Sequence, residues 1–176
     1  MKTMLTLFLL SLTVSAAEPF TSGVPVGKRP GPYSFLVATG PQRGQPTCYI
    51  CEQDNKPTAV VFVRSLSAPL GKLLVKLDEV ATKQADQGFK AWMTQLTPTA
   101  DLDALAKWSK QEGLKTVAVG AFEDADGPPA YTLHKDADVT VLVFIKKSVT
   151  ANFALKQDEL NDAKIDDILK AVAALK

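Results

Sequence analysis

The stretch TAVVFV, residues 58–63, decides the fold. Its residues do not alternate between apolar and polar, and most of them are β-branched. That pattern fits a strand buried on both faces, as in the middle of a parallel sheet. Pro57 and Arg64 bound the run. Just downstream, Ser67 is placed to cap a helix, and Pro69 is tolerated in its first turn. Leu70, Leu73, Leu74, Leu77 and Val80 then recur at helical spacing on one face.

The same alternation continues outward. FKAWMTQL reads as a second strand stopped by Pro98. Thr99 is expected to cap a second helix, with Leu102, Leu105 and Ala106 inward and Gly113 at its end. KTVAVGAF is a third strand and EDADGPPAY a loop. Residues 131–136 read as a short helical turn or irregular chain. VTVLVFI, residues 139–145, and the alternating VTANFAL form a hairpin around Lys146-Lys147-Ser148. Asn161 caps a last helix with Leu160 and Ile165 stapled across its start. Upstream, YSFLVA and TCYIC read as two short strands separated by the turn-rich TGPQRGQP, with EQDNKP as a further turn. The fold class is α/β: a mixed central sheet, covered on both faces and flanked by helices, with an N-terminal β-hairpin extension.

The chain has 176 residues, 46% hydrophobic and 22% charged, which suits one domain with a full core. Lys2, the apolar run Leu5 to Val14 and the small residues Ser15-Ala16-Ala17 read as a signal peptide over residues 1–17. The run is too short to span a bilayer comfortably. Residues 18–32, rich in proline and glycine, read as a flexible linker without a core, the alternative being an extended arm lying on the domain, and leave residues 33–176 as the domain. Losing Lys2 takes the net charge from +1 to 0 (1 − 1 = 0), so no electrostatic case exists for nucleic acid or an anionic membrane. Export implies a periplasmic or secreted location, where a disulfide is the default for two nearby cysteines.

Cys48 and Cys51 are the chain's two cysteines, and they form a C-x-x-C pair. Two thiols at this spacing close a small ring and can exchange with a partner's disulfide, or they can act as a static staple; the residues alone leave both open. Glu52 opposes thiolate formation, whereas Lys56 and Arg43 favour it if the loops fold back. Zinc is poorly served by two cysteines and one distant His134, and haem attachment needs a histidine where Glu52 stands. Arg64, Ser65 and Ser67, between a buried strand and a helix, read as a cap with a solvated arginine or as a site for a small anion or a partner's backbone. Ser65 has no triad partners. Trp92, Trp108, Phe62 and Phe144 read as packing, His134 as an exposed loop residue and Asp166-Asp167 as a solvated face. No glycine-rich loop follows a strand, and no cofactor is expected.

With its element order, leader and C-x-x-C pair, the chain resembles the thioredoxin-like superfamily over residues 33–176. The matching pieces are TAVVFV, the helix after it, and the closing VTVLVFI…VTANFAL…IDDILKAV. It is most similar to the redoxin and peroxiredoxin branch, and DADVTV with the cysteine pair is similar to exported thioredoxin-like proteins of planctomycete-type bacteria. The resemblance implies thiol–disulfide exchange on a protein or small-thiol substrate, with Cys48 attacking and Cys51 resolving. Two departures weaken it. The helix tip carries Arg64-Ser65-Leu66-Ser67 where the family has its reactive cysteine, and Asp136-Ala137-Asp138 stands where it has a cis-proline. The alternative expectation is a non-catalytic binding module stapled by a Cys48–Cys51 disulfide.

Overall fold

The computed structural model describes residues 20–175. The signal peptide read over residues 1–17 lies outside the described residues. The elements are β1 (Phe35–Val37), β2 (Pro46–Thr47), α1 (Tyr49–Gln53), β3 (Thr58–Val63), α2 (Ala68–Lys83), β4 (Lys90–Leu96), α3 (Leu102–Glu112), β5 (Ala118–Phe122), β6 (Val139–Ile145), β7 (Ser148–Leu155) and α4 (Asp162–Ala173). They build one mixed sheet in the order β2-β1-β5-β4-β3-β6-β7. The strands β3, β4 and β5 are parallel neighbours, and β6 pairs antiparallel with β3. TAVVFV is the strand β3, with all six residues buried.

Both faces of this sheet were expected to be covered, and both are, though by different parts of the chain. The helices α2, α3 and α4 lie on one face, where Ala59, Val61 and Val63 meet Leu70, Leu74, Leu105, Ile168 and Val172. Strand order explains this. The chain steps β3 to β4 to β5 in one direction, and two right-handed crossovers stepping the same way lay their helices on the same side. β6 is then reached through a connection without a long helix, residues 123–138, which crosses the opposite face.

That opposite face is closed by an aromatic layer. Tyr33, Phe35, Tyr49, Phe62, Trp92, Tyr131 and Phe144 are buried there. Trp92 Nε1–H donates to Tyr33 Oη at 2.7 Å, and Thr94 Oγ1 lies 2.8 Å from the same oxygen. Residues 20–32, expected to be a flexible linker with no core, lie on this face as an extended arm. Ser22, Val24 and Pro30 are buried. The arm is held by Ser22 Oγ at 2.7 Å from Thr140 Oγ1, by Asn152 donating to the Ser22 and Val24 carbonyls, and by Tyr131 O–H donating to Gly31 O. Gly23, at φ +86°, sits so close to Thr140 that a Cβ would fall 2.9 Å from its methyl. The face without the long helices supplies the apolar surface that the arm's own composition lacks.

Two local expectations are corrected. The cap of α3 is Asp101, whose carboxylate accepts the Ala104 N–H at 2.9 Å, rather than Thr99. An anionic N-cap also complements the helix dipole. TCYIC is not a strand: β2 ends at Thr47, and Tyr49–Gln53 is the short helix α1. Where β5 begins, the buried Asp78 carboxylate accepts the N–H groups of Lys115, Thr116 and Val117 at 3.0, 2.6 and 2.7 Å.

Burial pushes the phenols of Tyr33 and Tyr131 well above their ordinary range, and the hydrogen bonds to Tyr33 offset this only partly. A raised folded-state value means that the stabilisation is complete below the unfolded value of about 10 and is lost as pH climbs above it. In an alkaline titration, phenolate absorbance is expected to rise together with loss of circular dichroism. Three phenolates titrating near pH 10 with the dichroism intact would contradict this packing.

Candidate functional site

The disulfide explains why TCYIC is helical. Cys48 and Cys51 are bonded, with their Cα atoms 5.3 Å apart. In a strand, residues three apart are separated by about 10 Å at ~3.3 Å per residue, beyond the reach of a disulfide. A helical turn brings them together. Cys48 is the N-cap of α1, and its sulfur accepts the Cys51 N–H at 3.3 Å.

Helical geometry also decides which sulfur faces out. Tyr49 and Gln53, four apart, share the buried face of α1. Cys51, two residues from each, is exposed, and Cys48 is half-buried. The Tyr49 ring anchors the loop, packing edge-on against Phe35 at 5.4 Å and Trp92 at 5.5 Å. Lys90 Nζ lies 3.6 Å from the centre of that ring. Lys90 also donates to Glu52 at 3.0 Å, so the carboxylate expected to oppose thiolate formation is paired with a cation. Burial, and then the charge of Glu52, raise the Tyr49 phenol. Of the two cations expected to help, Arg43 turns away to the Ala38 carbonyl and the Asp103 carboxylate.

Cys51 opens onto a cleft of about 300 Å³, with Pro30, Pro32 and Ile50 among its walls. Its rim is charged. Lys147, on the β6–β7 turn, meets Asp54 at 2.6 Å and holds that carboxyl below the usual range, with Arg29 and Lys56 adding to the effect. Lys146 and Lys147 adopt left-handed φ values of 52° and 61°, the conformation that a two-residue hairpin turn requires. Sequence reasoning did not find the cleft. Arg29-Pro30-Gly31-Pro32 reads as linker, and nothing local marks Lys90 or Lys147 as neighbours of residue 51.

The helix-tip constellation lies elsewhere. β3 runs about 17 Å, five steps of ~3.3 Å, from the α1 end to Val63, so the disulfide and Arg64 sit at opposite ends of the sheet. Ser67 caps α2, as expected, by accepting the Leu70 N–H. Arg64 is half-buried, and its guanidinium is engaged within the chain. Its guanidinium donates to the carbonyls of Ala125, His134 and Ala137, clamping the loop before β6. His134 stacks on Phe20 at 5.1 Å. Among the described residues, no group of three His, Cys, Asp or Glu side chains is placed to hold a metal, and no helix is long and apolar enough to cross a membrane.

No family model matches the chain, and no curated protein matches it in sequence. Solved structures share its architecture. A DsbF homologue from Corynebacterium diphtheriae is 14% identical at TM-score 0.62, with 96% of this chain and 99% of that one covered. A candidate protein disulfide isomerase from Bacteroides thetaiotaomicron is 16% identical at TM-score 0.62, with 88% and 95% covered. A thiol peroxidase from Chromobacterium violaceum is 12% identical at TM-score 0.57, with 86% and 87% covered. Identities this low speak to architecture, and the architecture they establish for this chain is the thioredoxin-like fold.

Proposed function

We propose that this chain is an exported thiol–disulfide exchange protein working through Cys48 and Cys51. The observation that carries the reading is the placement of Cys51. It is exposed at the mouth of a cleft, on a loop whose neighbouring ring is locked into the core. Structures sharing the fold include ones described as a candidate protein disulfide isomerase and a candidate thiol:disulfide interchange protein, and this chain offers the two sulfurs such chemistry needs. The leader-like residues 1–17 support export.

The roles follow from access and from the helix cap. An incoming thiolate attacks the sulfur of Cys51, the more exposed residue of the pair. The Cys48–Cys51 bond breaks, and its electron pair goes to Cys48. The leaving thiolate is stabilised by the Cys51 N–H that already points at it, and a better-stabilised leaving group departs faster. Run in reverse, Cys48 resolves a mixed disulfide held on Cys51. This exchanges the roles that the thioredoxin resemblance implies.

A static staple is less favoured because the ring is so small. Closing a loop of about four residues stabilises by about 2 kcal/mol or less in the chain-entropy account. Reducing the oxidised protein is therefore expected to lower its stability by at most ~2 kcal/mol in urea unfolding, with far-ultraviolet dichroism retained. Collapse of the fold on reduction would favour the staple.

The roles are tested by mixing oxidised protein with a small thiol, quenching in acid and locating the adduct by fragmentation between residues 48 and 51. The adduct is expected mainly on Cys51. An adduct mainly on Cys48 reverses the assignment, and a pair that no thiol opens ends the redox reading.

A further inference from the structure

We propose that the cleft beside Cys51 is a substrate site for a small thiol that carries a carboxylate, with Arg29 as the residue that selects it. This deepens the exchange reading and rests on it. The volume of about 300 Å³ stands at the lower end of small-molecule sites, which span about 300–1,000 Å³, and it suits a small thiol better than a protein loop. Pro30, Pro32 and Ile50 give the walls an apolar character that would pack a short carbon chain.

The charges around the cleft favour an anion. Asp54, just past α1, is matched by Lys147 at 2.6 Å, and the carboxylate on α1, Glu52, is matched by Lys90 at 3.0 Å. Arg29 lines the cleft and makes no ion pair or side-chain hydrogen bond among the described residues. Lys56 adds a further positive charge near Asp54. A guanidinium presents a planar fork of donors that matches a carboxylate, so Arg29 can hold the acid group while the thiolate reaches the Cys51 sulfur.

The step balances. The bound thiolate forms a mixed disulfide with Cys51 as the Cys48–Cys51 bond breaks, and Cys48 takes the electron pair and then a proton. A second molecule of the same thiol attacks the substrate-derived sulfur of that mixed disulfide. The products are the small disulfide and a Cys51 thiolate, which takes the second proton. Two thiols are oxidised to one disulfide, and the protein disulfide is reduced to two thiols.

The test compares reduction of the oxidised protein by thioglycolate, 2-mercaptoethanol and cysteamine. Each rate is divided by that thiol's rate with 2-hydroxyethyl disulfide, which removes differences in intrinsic reactivity. After this correction thioglycolate is expected to be preferred over 2-mercaptoethanol by about two- to fivefold, the size of effect that one solvent-exposed charge pair gives. Cysteamine is expected to be disfavoured, and 0.5 M salt should compress the spread. Arg29→Gln should bring the thioglycolate preference to about one, whereas Lys72→Gln, on the helix-covered side, should keep it. Equal corrected rates for the three thiols, or a preference that survives Arg29→Gln, overturn the site while leaving the exchange reading standing. A disulfide that none of the three thiols opens overturns both.

Discussion

Burial of the Tyr49 ring is the constraint that joins this fold to the chemistry proposed for it. Tyr49 lies between the two cysteines, and it is the residue of that pair's loop that the core takes in, against Phe35 and Trp92. With the ring fixed inward, one helical turn carries Cys51 outward and leaves Cys48 at the cap. The disulfide then reinforces the turn that presents it. The layer receiving Tyr49 exists because the other face of the sheet holds all three long helices, leaving this face to aromatic side chains, the arm and a loop.

The same asymmetry sets where the candidate site lies. A thioredoxin-like sheet offers two ends, and the resemblance directs attention to the helix tip after β3. In this chain the tip is taken up by internal hydrogen bonds: Arg64 uses its guanidinium on three carbonyls of the chain that leads to β6. The opposite end, where α1, the β6–β7 turn and the arm converge, holds the disulfide, the cleft and the charges. Residues far apart in sequence meet there, as the Asp54–Lys147 pair shows. The fold is shared with thiol–disulfide proteins, but the place proposed for chemistry lies about 17 Å away along the sheet.

Much of the fold was legible in the sequence, because TAVVFV, FKAWMTQL and VTVLVFI have the length, β-branched or aromatic content and flanking breakers of buried strands. Ser67, Gly113 and Asn161 marked helix ends through local chemistry, and the structure agrees at each. The misreadings had physical causes. TCYIC has strand-like composition, yet the disulfide ring excludes an extended chain, so a covalent constraint overrode propensity. Had it been a strand, Tyr49 and Cys51 would have shared a face and the sulfur would have been buried with the ring. The arm looked flexible because proline and glycine form no core of their own; its partners, Thr140, Asn152 and Tyr131, lie a hundred residues or more away. The cleft was invisible for the same reason.

The central claim, that the Cys48–Cys51 pair trades electrons rather than merely closing a loop, is tested most directly by its midpoint potential in a redox-buffer titration. The account predicts a value between about −270 and −120 mV, the span of proteins that exchange disulfides for a living. A value below about −300 mV, where structural disulfides lie, would contradict it.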